Sequence, residues 1–460
     1  MMNDFPHHIF REYDIRGIAG TDITTGFAYQ LGKAFAHMLP KDEHQPVSIA
    51  RDVRLSGEAL QQAVMQGLCD SGKDVLDLGI QPTPLTYYSV FEMHTSGCIV
   101  ITASHNPAQY NGFKLMVGKE SLHGKDIQKL KALMQKNIPH TRQPGNIKSI
   151  SIQHMYEDFV VRDCILKRPL KVVIDAGNGP SGIIAAPLYR RMGCEVIALH
   201  CQPDGNFPNH HPDPTVEENM QDLVHAVCAH HADLGIAFDG DGDRIGVVDE
   251  QGNMIWSDML LLILARELLK THVGATIISE IKSSEHLYAG IHQAGGKAIM
   301  WRTGHSLMKA KMKETSALLA GEMSGHIFFA DRFYGFDDAV YAGARLMQII
   351  SQTHHPISAL FSDIPISVTT PEIRIPCPED KKFSLIEKAK CHFNKLGYDM
   401  IDIDGIRIQF DDGWALLRAS NTQPALTLRF EASNQTQLQH IRGIVEDWLK
   451  LQHIPAIETD

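Results

Sequence analysis

Three aspartates at alternate positions, Asp239, Asp241 and Asp243, are separated by glycines and followed by Arg244. Carboxylates this close repel one another unless a cation lies among them, and hard oxygen ligands favour Mg²⁺ or Ca²⁺ over softer transition metals. The glycines let the backbone fold tightly enough for the three side chains to converge. The segment predicts a divalent-cation site, with a solvated acidic turn as the alternative for so short a motif.

The sequence around these aspartates favours the metal site over the solvated turn. Apolar residues 234–238 precede the aspartates and 245–248 follow them, and both segments are typical of buried strands. Ligands of α/β proteins bind beyond the carboxyl ends of such strands. The aspartates are therefore expected to lie where chemistry takes place.

Ser104 is the candidate nucleophile, within the sequence Thr-Ala-Ser-His-Asn-Pro at 102–107. The predicted strand 98–103 delivers it to the same kind of sheet edge. The alternative is an ordinary turn, because His105-Asn106-Pro107 is itself good turn chemistry.

Other polar segments carry groups suited to a phosphorylated sugar. Residues 418–424 offer a guanidinium, hydroxyls and an amide, which is how a tetrahedral phosphate is held. Residues 321–326 combine an acid, a hydroxyl and an imidazole that could bind vicinal sugar hydroxyls. Arg11, Arg16 and Lys114 add positive charge. Taken singly, each has a bland alternative as a solvated turn, a polar loop or a capped helix start.

Two glycine-rich segments suggest nucleotide binding. Residues 177–182 fit G-x-G-x-x-G after a predicted strand ending at Asp175, with Asp204 further on, which supports an NAD-dependent oxidoreductase as the alternative function. Against it, Pro180 removes a backbone N–H from the loop that should hold the pyrophosphate. Residues 290–298 lack the spacing and hydroxyl residue of a P-loop.

Paired histidines are predicted to be surface residues rather than zinc ligands, because adjacent side chains point apart on a helix or a strand. The pairs are 7–8, 210–211, 230–231 and 354–355.

The bulk composition excludes some classes of protein. A chain of 460 residues is too long for one core, and its formal charge of −11 disfavours a nucleic-acid binder. The longest apolar run, 259–265, is far shorter than the ~20 residues that span a membrane, and residues 1–6 show no signal peptide. Eight scattered cysteines without a Cys-x-x-Cys pair are predicted to be reduced core thiols. We expect a cytoplasmic protein that gathers cations locally for any anionic substrate.

The order of predicted elements indicates three α/β units and a different fourth unit. Strands and helices alternate over 47–103, which predicts a mainly parallel sheet covered by helices. Residues 142–152 are interpreted as a linker, a second unit begins near 170, and a helix capped by Ser257 and Asp258 begins the third. The last hundred residues show period-two strands with helices near 381–396 and 435–452, as in an antiparallel α+β domain. The three units share no obvious sequence repeat, so any relation among them must be structural.

In combination these motifs resemble the α-D-phosphohexomutase superfamily, and specifically its bacterial phosphomannomutase/phosphoglucomutase branch. Glu322-Met-Ser-Gly-His326 is similar to the sugar loop of enzymes for mannose and glucose phosphates, whereas phosphoglucosamine mutases usually carry glutamine at position 323. One departure is Ala50, where the family commonly has glycine. Eight motifs carry the resemblance in order along the whole chain: 10–17, 51–57, 102–107, 175–182, 239–244, 303–305, 321–326 and 418–424.

The resemblance implies three mixed α/β domains with helix-covered sheets and a C-terminal α+β domain, forming a heart shape around a central cleft. Residues 1–150 would carry the phosphoserine loop, 151–255 the metal loop, 256–368 the sugar-binding loop and 369–460 a phosphate-binding loop. The last domain, from about residue 369, is predicted to move as a hinged body.

The resemblance also implies a role for each site residue. Ser104, as phosphoserine, would hold one Mg²⁺ together with Asp239, Asp241 and Asp243. Arg16, Lys114 and Arg244 would stabilise the transferring phosphoryl group, with His326 as acid/base and Lys114 as its competitor. The substrate-binding set would be Tyr13, Lys282, His305, Glu322, Ser324, His326, Arg418, Ser420, Asn421 and Thr422.

The implied activity is interconversion of hexose 6-phosphate and hexose 1-phosphate through a 1,6-bisphosphate that reorients in the site and also activates the enzyme. Mannose and glucose phosphates are both expected as partners, since the two sugars differ only at C2, and the chain is expected to be a monomer. A catalytically dead sugar-phosphate sensor and a metal-dependent phosphomonoesterase remain as alternatives. Without a phosphoryl group on Ser104, the aspartates are expected to hold Mg²⁺ more weakly.

Overall fold

The computed structural model describes residues 5–40, 45–136, 138–139, 141–420 and 424–454. Within these ranges, strands and helices form four sheets with helices packed on them. No helix in this part of the chain is both long enough and apolar enough to cross a membrane.

The first domain is built on a mixed sheet in the order β1-β5-β4-β2-β3-β7, with β6 paired to β5. The pairs β4–β2, β2–β3 and β3–β7 are parallel. The pairs that β5 makes with β1, β4 and β6 are antiparallel. Residues 142–152 are not simply a linker, because β7 lies within them and extends the sheet as an edge strand. The strands are β1 Ile15–Ile18, β2 Val47–Arg51, β3 Val75–Ile80, β4 Gly97–Ile101, β5 Tyr110–Val117, β6 Glu120–Ser121 and β7 Ile147–Ser149; the helices are α1 Thr25–Ala36, α2 Gly57–Asp70, α3 Thr83–Glu92 and α4 Lys125–Met134.

The second domain has a five-stranded sheet in the order β12-β11-β10-β8-β9. The strands β8, β9 and β10 are parallel, and β11 and β12 close the sheet in antiparallel fashion. The elements are α5 Gln153–Asp163, β8 Lys171–Asp175, α6 Gly182–Arg191, β9 Glu195–Leu199, α7 Gln221–His230, β10 Leu234–Phe238, β11 Ile245–Val248 and β12 Met254–Ile255.

The third domain has a four-stranded sheet in the order β14-β13-β15-β16. Its first helix begins at Ser257 as predicted, but Trp256 is the N-cap and no side chain caps it, so the predicted capping role of Ser257 and Asp258 is wrong. The elements are α8 Ser257–Leu269, β13 Thr276–Glu280, α9 Glu285–Gln293, β14 Lys297–Trp301, α10 His305–Thr315, β15 Leu319–Gly321, β16 Ile327–Phe329 and α11 Ala339–Ser351.

These three domains repeat one topology that the sequence does not reveal. Each contains a βαβαββ unit whose strands lie in the spatial order second, first, third, fourth. The first three strands are parallel, and the fourth returns antiparallel to the third. The turns between the third and fourth strands are residues 102–109, 239–244 and 322–326. The serine, aspartate and sugar-loop motifs therefore occupy the same position in three related units.

The fourth domain is the antiparallel α+β unit that the sequence predicts. Its sheet runs β17-β22-β21-β20-β19, with β18 also paired to β22, and every pair is antiparallel. The elements are β17 Val368–Thr369, β18 Ile373–Pro376, α12 Lys382–Lys395, β19 Met400–Ile401, β20 Ile406–Phe410, β21 Gly413–Ala419, β22 Ala425–Ala432 and α13 Gln435–Leu451.

The hydrophobic cores separate the fourth domain from the other three. One continuous apolar cluster runs through the first three domains, whereas the fourth has a core of its own around Phe393, Phe430 and Trp448. The third and fourth domains meet through a small apolar cluster of Ile281, Trp414 and Leu416 and through buried polar contacts. Arg407 is fully buried and donates to the carbonyls of Ile281 at 2.9 Å and Ser283 at 2.7 Å. This shared cluster is far smaller than the apolar core that joins the first three domains, so relative motion of the fourth domain is the expectation.

A hinged fourth domain predicts a measurable change of shape. Glucose 1,6-bisphosphate would contact loops of the fourth domain and of the other three domains. Its addition is therefore expected to lower the radius of gyration in solution X-ray scattering. Free glucose, which lacks both phosphates, serves as the control and should leave the curve unchanged. An identical radius of gyration with and without the bisphosphate would contradict the hinge.

Candidate active site

The serine hairpin and the aspartate hairpin meet directly. Ser104 is buried, and its Oγ donates to Asp239 Oδ2 at 2.7 Å. Ser104 has a φ of +52°, which is uncommon for a residue other than glycine and is typical of functional turns. Gly240 permits the approach, because a Cβ there would overlap the Ser104 carbonyl oxygen. The first two domains thus bring the candidate nucleophile and a carboxylate cluster together.

The Ser104 turn is held by a buried arginine. Arg54 is 1% exposed and its Nε donates to Asp52 Oδ2 at 3.1 Å. Its guanidinium also donates to four backbone carbonyls of the turn: Ser104 at 2.7 Å, Asn106 at 2.5 Å, Pro107 at 2.6 Å and Tyr110 at 2.9 Å. Because one rigid, planar donor fixes four acceptors, it stabilises the uncommon backbone conformation of Ser104.

Asp239, Asp241 and Asp243 are all fully buried and converge, with one oxygen of each within 4.8 Å of the others. Asp239 Oδ1 accepts three backbone N–H groups of its own turn, at 2.9 to 3.2 Å. The Oδ1 atoms of Asp241 and Asp243 are buried without a hydrogen-bond partner. Unpartnered buried carboxylate oxygens are costly, and a hard divalent cation is the ligand that they fit.

The protonation of this cluster reflects burial and mutual charge. Burial and the Asp241 and Asp243 charges raise the pKa of Asp239 well above its ordinary value. Lys114 Nζ contacts both Asp241, at 2.7 Å, and Asp243. Burial lowers the pKa of Lys114, but these two carboxylates outweigh it and raise the pKa above its ordinary value. This ion-paired arrangement of Lys114 favours charge stabilisation over the alternative acid/base role.

Two arginines add positive charge beside Ser104. Arg16 Nη1 donates to Asn106 Oδ1 at 2.7 Å, and its Nε to Asp14 at 2.7 Å. Arg244 Nε lies 3.9 Å from Asp239 Oδ2 and 3.1 Å from His326 Nε2. The structure thus brings together every residue predicted to act on the phosphoryl group.

His326 is oriented by Asp337, a residue that the sequence reasoning missed. Its Nδ1 lies 3.0 Å from Asp337 Oδ2 and 3.1 Å from the Asp243 carbonyl, and both are acceptors. The proton is therefore assigned to Nδ1, and the single lone pair of Nε2 accepts the Nε–H of Arg244. Burial raises the pKa of Asp337, but the Lys309 charge and the His326 side chain outweigh it and hold the pKa well below its ordinary value. Nothing in the local sequence marks Asp337, because its partners are all distant in the chain.

The rest of the sugar loop lies beside the segment that precedes α10 in the same third domain. Glu322 Oε1 accepts the N–H of Gly304 at 2.6 Å, and the neighbouring His305 stacks on His326 with ring centroids 5.5 Å apart. Ser324 is half-buried in the same turn. Burial and the nearby Glu280 carboxylate raise the pKa of Glu322 to about 7. This carboxyl group is therefore able to accept or donate a hydrogen bond near neutral pH.

Burial and the Lys309 charge hold the pKa of His305 well below its ordinary value. His305 is therefore neutral, and its Nδ1 is buried without a hydrogen-bond partner. It offers a polar contact to a ligand rather than a charge.

The predicted phosphate-binding residues lie beyond the sugar loop. Tyr13 Oη donates to the Thr303 carbonyl at 2.9 Å, and its ring contacts His305 at a centroid distance of 5.9 Å. Arg418 Nε donates to Asp404 Oδ2 at 2.7 Å, and the same oxygen accepts the Thr303 N–H at 3.0 Å. Asp404 thereby ties the fourth domain to the third, a link that no sequence motif indicates.

Lys282 belongs to the same region and bridges two carboxylates. Its Nζ lies 3.4 Å from Glu280 and 3.1 Å from Glu372 of the fourth domain. Ser420 is buried, and its carbonyl accepts from Lys382 at 2.5 Å. Asn421 and Thr422 lie outside the described residues.

The glycine-rich loop 177–182 packs against the connection between β9 and α7. A Cβ at Gly177 would overlap Pro212, and the Asn178 side chain donates to the Gln202 carbonyl at 2.9 Å. The loop is thus engaged by the protein's own chain, which argues against the oxidoreductase alternative. His210 in that connection is half-buried and lies 2.9 Å from Asp175, so the surface prediction is wrong for it.

The cysteines are all unpaired, as predicted. The prediction that they are core thiols holds for Cys69, Cys98, Cys164, Cys194 and Cys377, which are buried; Cys201 is half-buried, and Cys228 and Cys391 are exposed.

Comparisons with known proteins match the chain over nearly its whole length. Phosphoglucomutase/phosphomannomutase family models match as alpha/beta/alpha domain I over 7–140, domain II over 151–252, domain III over 256–367 and the C-terminal domain over 372–447. A phosphomannomutase/phosphoglucomutase of Pseudomonas aeruginosa is 44% identical over 445 residues, covering 97% of this chain and 96% of the relative. A phosphoglucomutase of Neisseria gonorrhoeae is 44% identical over 446 residues, covering 96% of each chain.

The fold agrees with a crystal structure from the same group of proteins. A phosphoglucomutase/phosphomannomutase family protein from Burkholderia thailandensis superposes with a TM-score of 0.91 at 40% identity, covering 98% of this chain and 99% of that one.

The orphaned carboxylate oxygens predict a specific loss of metal affinity. Asp243→Asn removes one of three anionic ligands, so the Kd for Mn²⁺, used as a spectroscopic probe, is expected to rise at least about tenfold. Titration followed by electron paramagnetic resonance measures free Mn²⁺ directly. Asp126→Asn, an exposed substitution in α4, is the matched control and should bind as the unmodified chain does. Equal affinity in both variants would place the cation elsewhere.

Proposed function

The chain belongs to the phosphoglucomutase/phosphomannomutase family and is an isomerase of hexose phosphates, and we propose that it works through a phosphoserine at Ser104. Hexose 6-phosphate and hexose 1-phosphate would interconvert through a bound 1,6-bisphosphate. The observation that carries the proposal is the contact of Ser104 Oγ with Asp239 at 2.7 Å, inside a shell of arginine and lysine side chains. A nucleophile placed between carboxylates and cations suits phosphoryl transfer.

We assign the metal site to Mg²⁺, one per chain. Asp239, Asp241, Asp243 and a phosphoryl oxygen on Ser104 would hold it, since all four groups supply hard oxygen ligands. When bound, Mg²⁺ offsets the charge of the phosphoryl group and polarises its phosphorus. The phosphoryl oxygen supplies one of the four ligands, so affinity should fall when Ser104 is unmodified.

In the transfer step, a sugar hydroxyl oxygen forms a bond to phosphorus as the bond between phosphorus and Ser104 Oγ breaks. The hydroxyl proton passes to His326 Nε2 once Arg244 has released its hydrogen bond to that nitrogen, while the Asp243 carbonyl keeps the other ring proton on Nδ1. In the return step the other phosphate moves to Ser104, and His326 gives the proton back to the sugar oxygen. The base is thus restored after each cycle.

Three cations are assigned to the phosphoryl group during its transfer. Lys114 is held between two aspartates, while Arg16 and Arg244 lie on either side of the Ser104 turn. Charge spreads over the phosphoryl oxygens during transfer, so fixed cations stabilise the transition state more than the ground state. These clustered cations offset, at the site, the negative formal charge of −11 that the whole chain carries.

Binding of the sugar must work in two orientations. We assign the distal phosphate to Tyr13, Arg418 and Ser420, with Asn421 and Thr422 of the same predicted loop, and the sugar's O3 and O4 to Glu322 and Ser324. Lys282 and His305 are assigned to the third-domain part of the site. None of these contacts reads C2, which supports activity on both mannose and glucose phosphates. A sugar 1,6-bisphosphate would restore phosphoserine when the intermediate escapes, and so act as activator.

The domain limits that accompany this mechanism are 1–150, 151–255, 256–368 and 369–460. Opening of the last domain would let the bisphosphate turn, and closure would exclude water that hydrolyses phosphoserine. We further propose a monomer that works in the cytoplasm without nucleic acid or membrane, which the negative charge and the unpaired cysteines support.

One assay separates the mutase from the other two functions. With mannose 1-phosphate and a trace of glucose 1,6-bisphosphate, mannose 6-phosphate is the expected product, followed by ³¹P NMR. Release of inorganic phosphate would mean a phosphomonoesterase, and no product would mean a sugar-phosphate sensor. Parallel turnover of glucose 1-phosphate would measure the sugar preference.

The nucleophile assignment is tested in the same assay. Ser104→Ala is expected to lower turnover at least about a thousandfold, because no other group can carry the phosphoryl group, while binding of mannose 1-phosphate stays measurable by calorimetry. Ser121→Ala, a half-buried serine of the same domain, is the control and should keep full activity. Retained activity of Ser104→Ala would refute the assignment.

A further inference from the structure

A second group of potential metal ligands lies in the second domain, outside the aspartate hairpin. Asp175 ends β8, His200 follows β9, and His210 lies in the connection that leads to α7. One ligand atom of each lies within 4.8 Å of the others. Asp222, in the first turn of α7, lies beside this group, and its Oδ2 is 2.9 Å from His200 Nε2. Neither the family resemblance nor the mechanism gives these imidazoles a role.

The hydrogen bonds of His210 leave a place for a cation. Its Nδ1 lies 3.0 Å from the His211 carbonyl, which can only accept, so Nδ1 carries a proton. Its Nε2 faces Asp175 Oδ2 at 2.9 Å, and an ionised carboxylate also only accepts. Either a second proton or a metal ion must therefore accompany Nε2. A metal-ligating histidine typically donates its other N–H to a backbone carbonyl in this way.

The other two groups are fixed in place. Asp175 is 1% exposed, and its Oδ1 accepts the Gly177 N–H at 2.8 Å, which leaves Oδ2 directed at His210. His200 has a φ of +47°, a left-handed conformation that histidine adopts more often than most residues, and its ring lies 5.3 Å from that of His210 in a T-shaped arrangement. The three side chains are thus held close together.

We propose that Asp175, His200 and His210 form a second metal site, specific for a borderline-soft divalent ion of the Zn²⁺ class. Two imidazoles and one carboxylate are a Zn²⁺ donor set, whereas the all-oxygen aspartate hairpin suits Mg²⁺. The two sites would therefore select different ions from the same solution. Asp222 acts as the orienting partner of His200.

The site has a defined mechanical consequence. An ion there links the ends of β8 and β9 to the connection that carries Pro212. The Pro212 carbonyl accepts the N–H of Gly240 at 3.1 Å, in the aspartate hairpin. The ion is thus a structural element that positions the connection on which the aspartate hairpin rests, and it takes no part in bond making.

Binding of Zn²⁺ in the presence of a large excess of Mg²⁺ tests the proposal. Equilibrium dialysis with metal analysis is expected to show one Zn²⁺ equivalent more in the unmodified chain than in His200→Asn. Asparagine tolerates the positive φ at position 200, so the fold is preserved while the imidazole is lost. His230→Asn, an exposed substitution on α7, is the matched control and should lose no equivalent.

A second measurement needs no variant. Co²⁺ added to the Mg²⁺-loaded chain should develop the intense visible bands of a four-coordinate ion, as expected at a site of the Zn²⁺ type, rather than the weak bands of six-coordinate, oxygen-ligated Co²⁺. Equal Zn²⁺ equivalents in the unmodified chain and His200→Asn, or the absence of those bands, would overturn the proposal. Asp175 and His210 would then form an ordinary imidazolium–carboxylate ion pair.

Discussion

The mutual repulsion of three buried carboxylates is the constraint on which the architecture depends. Asp239, Asp241 and Asp243 have no access to water, so positive charge must come from the protein or from a bound ion. Lys114 supplies it from the first domain and Arg244 from the second. The charge balance of the site therefore requires the first two domains to stay packed together, and the apolar core that runs through the first three domains keeps them so.

Repetition of one βαβαββ unit explains how three functional loops reach one cleft. In each unit the return from the third parallel strand to the antiparallel fourth forms a hairpin at the same sheet edge. One hairpin carries the proposed nucleophile, one the carboxylates and one the groups proposed to bind the sugar. The fourth domain has a different fold and its own core, and a small apolar cluster together with polar contacts such as those of Arg407 and Asp404 joins it to the third.

The sequence predicted the hairpins and the domain types but not the partners that orient them. Motifs such as 102–107 and 239–244 are local, so their residue types alone indicated the chemistry. Asp337 and Arg54 act through contacts with residues far away in the chain, and no spacing reveals such pairs. Residues 142–152 were misjudged because a short edge strand is specified by its neighbour β3 rather than by its own pattern. His210 was misjudged because the argument from adjacent side chains ignored a buried carboxylate on another strand.

The central claim is that Ser104 carries a phosphoryl group to the sugar and takes one back. The most direct test is to label the enzyme with ³²P by means of glucose 1,6-bisphosphate, remove free ligand, and confirm the label on Ser104 by peptide mass analysis. Unlabelled glucose 1-phosphate is then added for a single turnover. The account predicts that the label leaves the protein and appears in glucose 1,6-bisphosphate and glucose 6-phosphate. Label that stays on the protein, or that is released as inorganic phosphate at the rate of turnover, would contradict it.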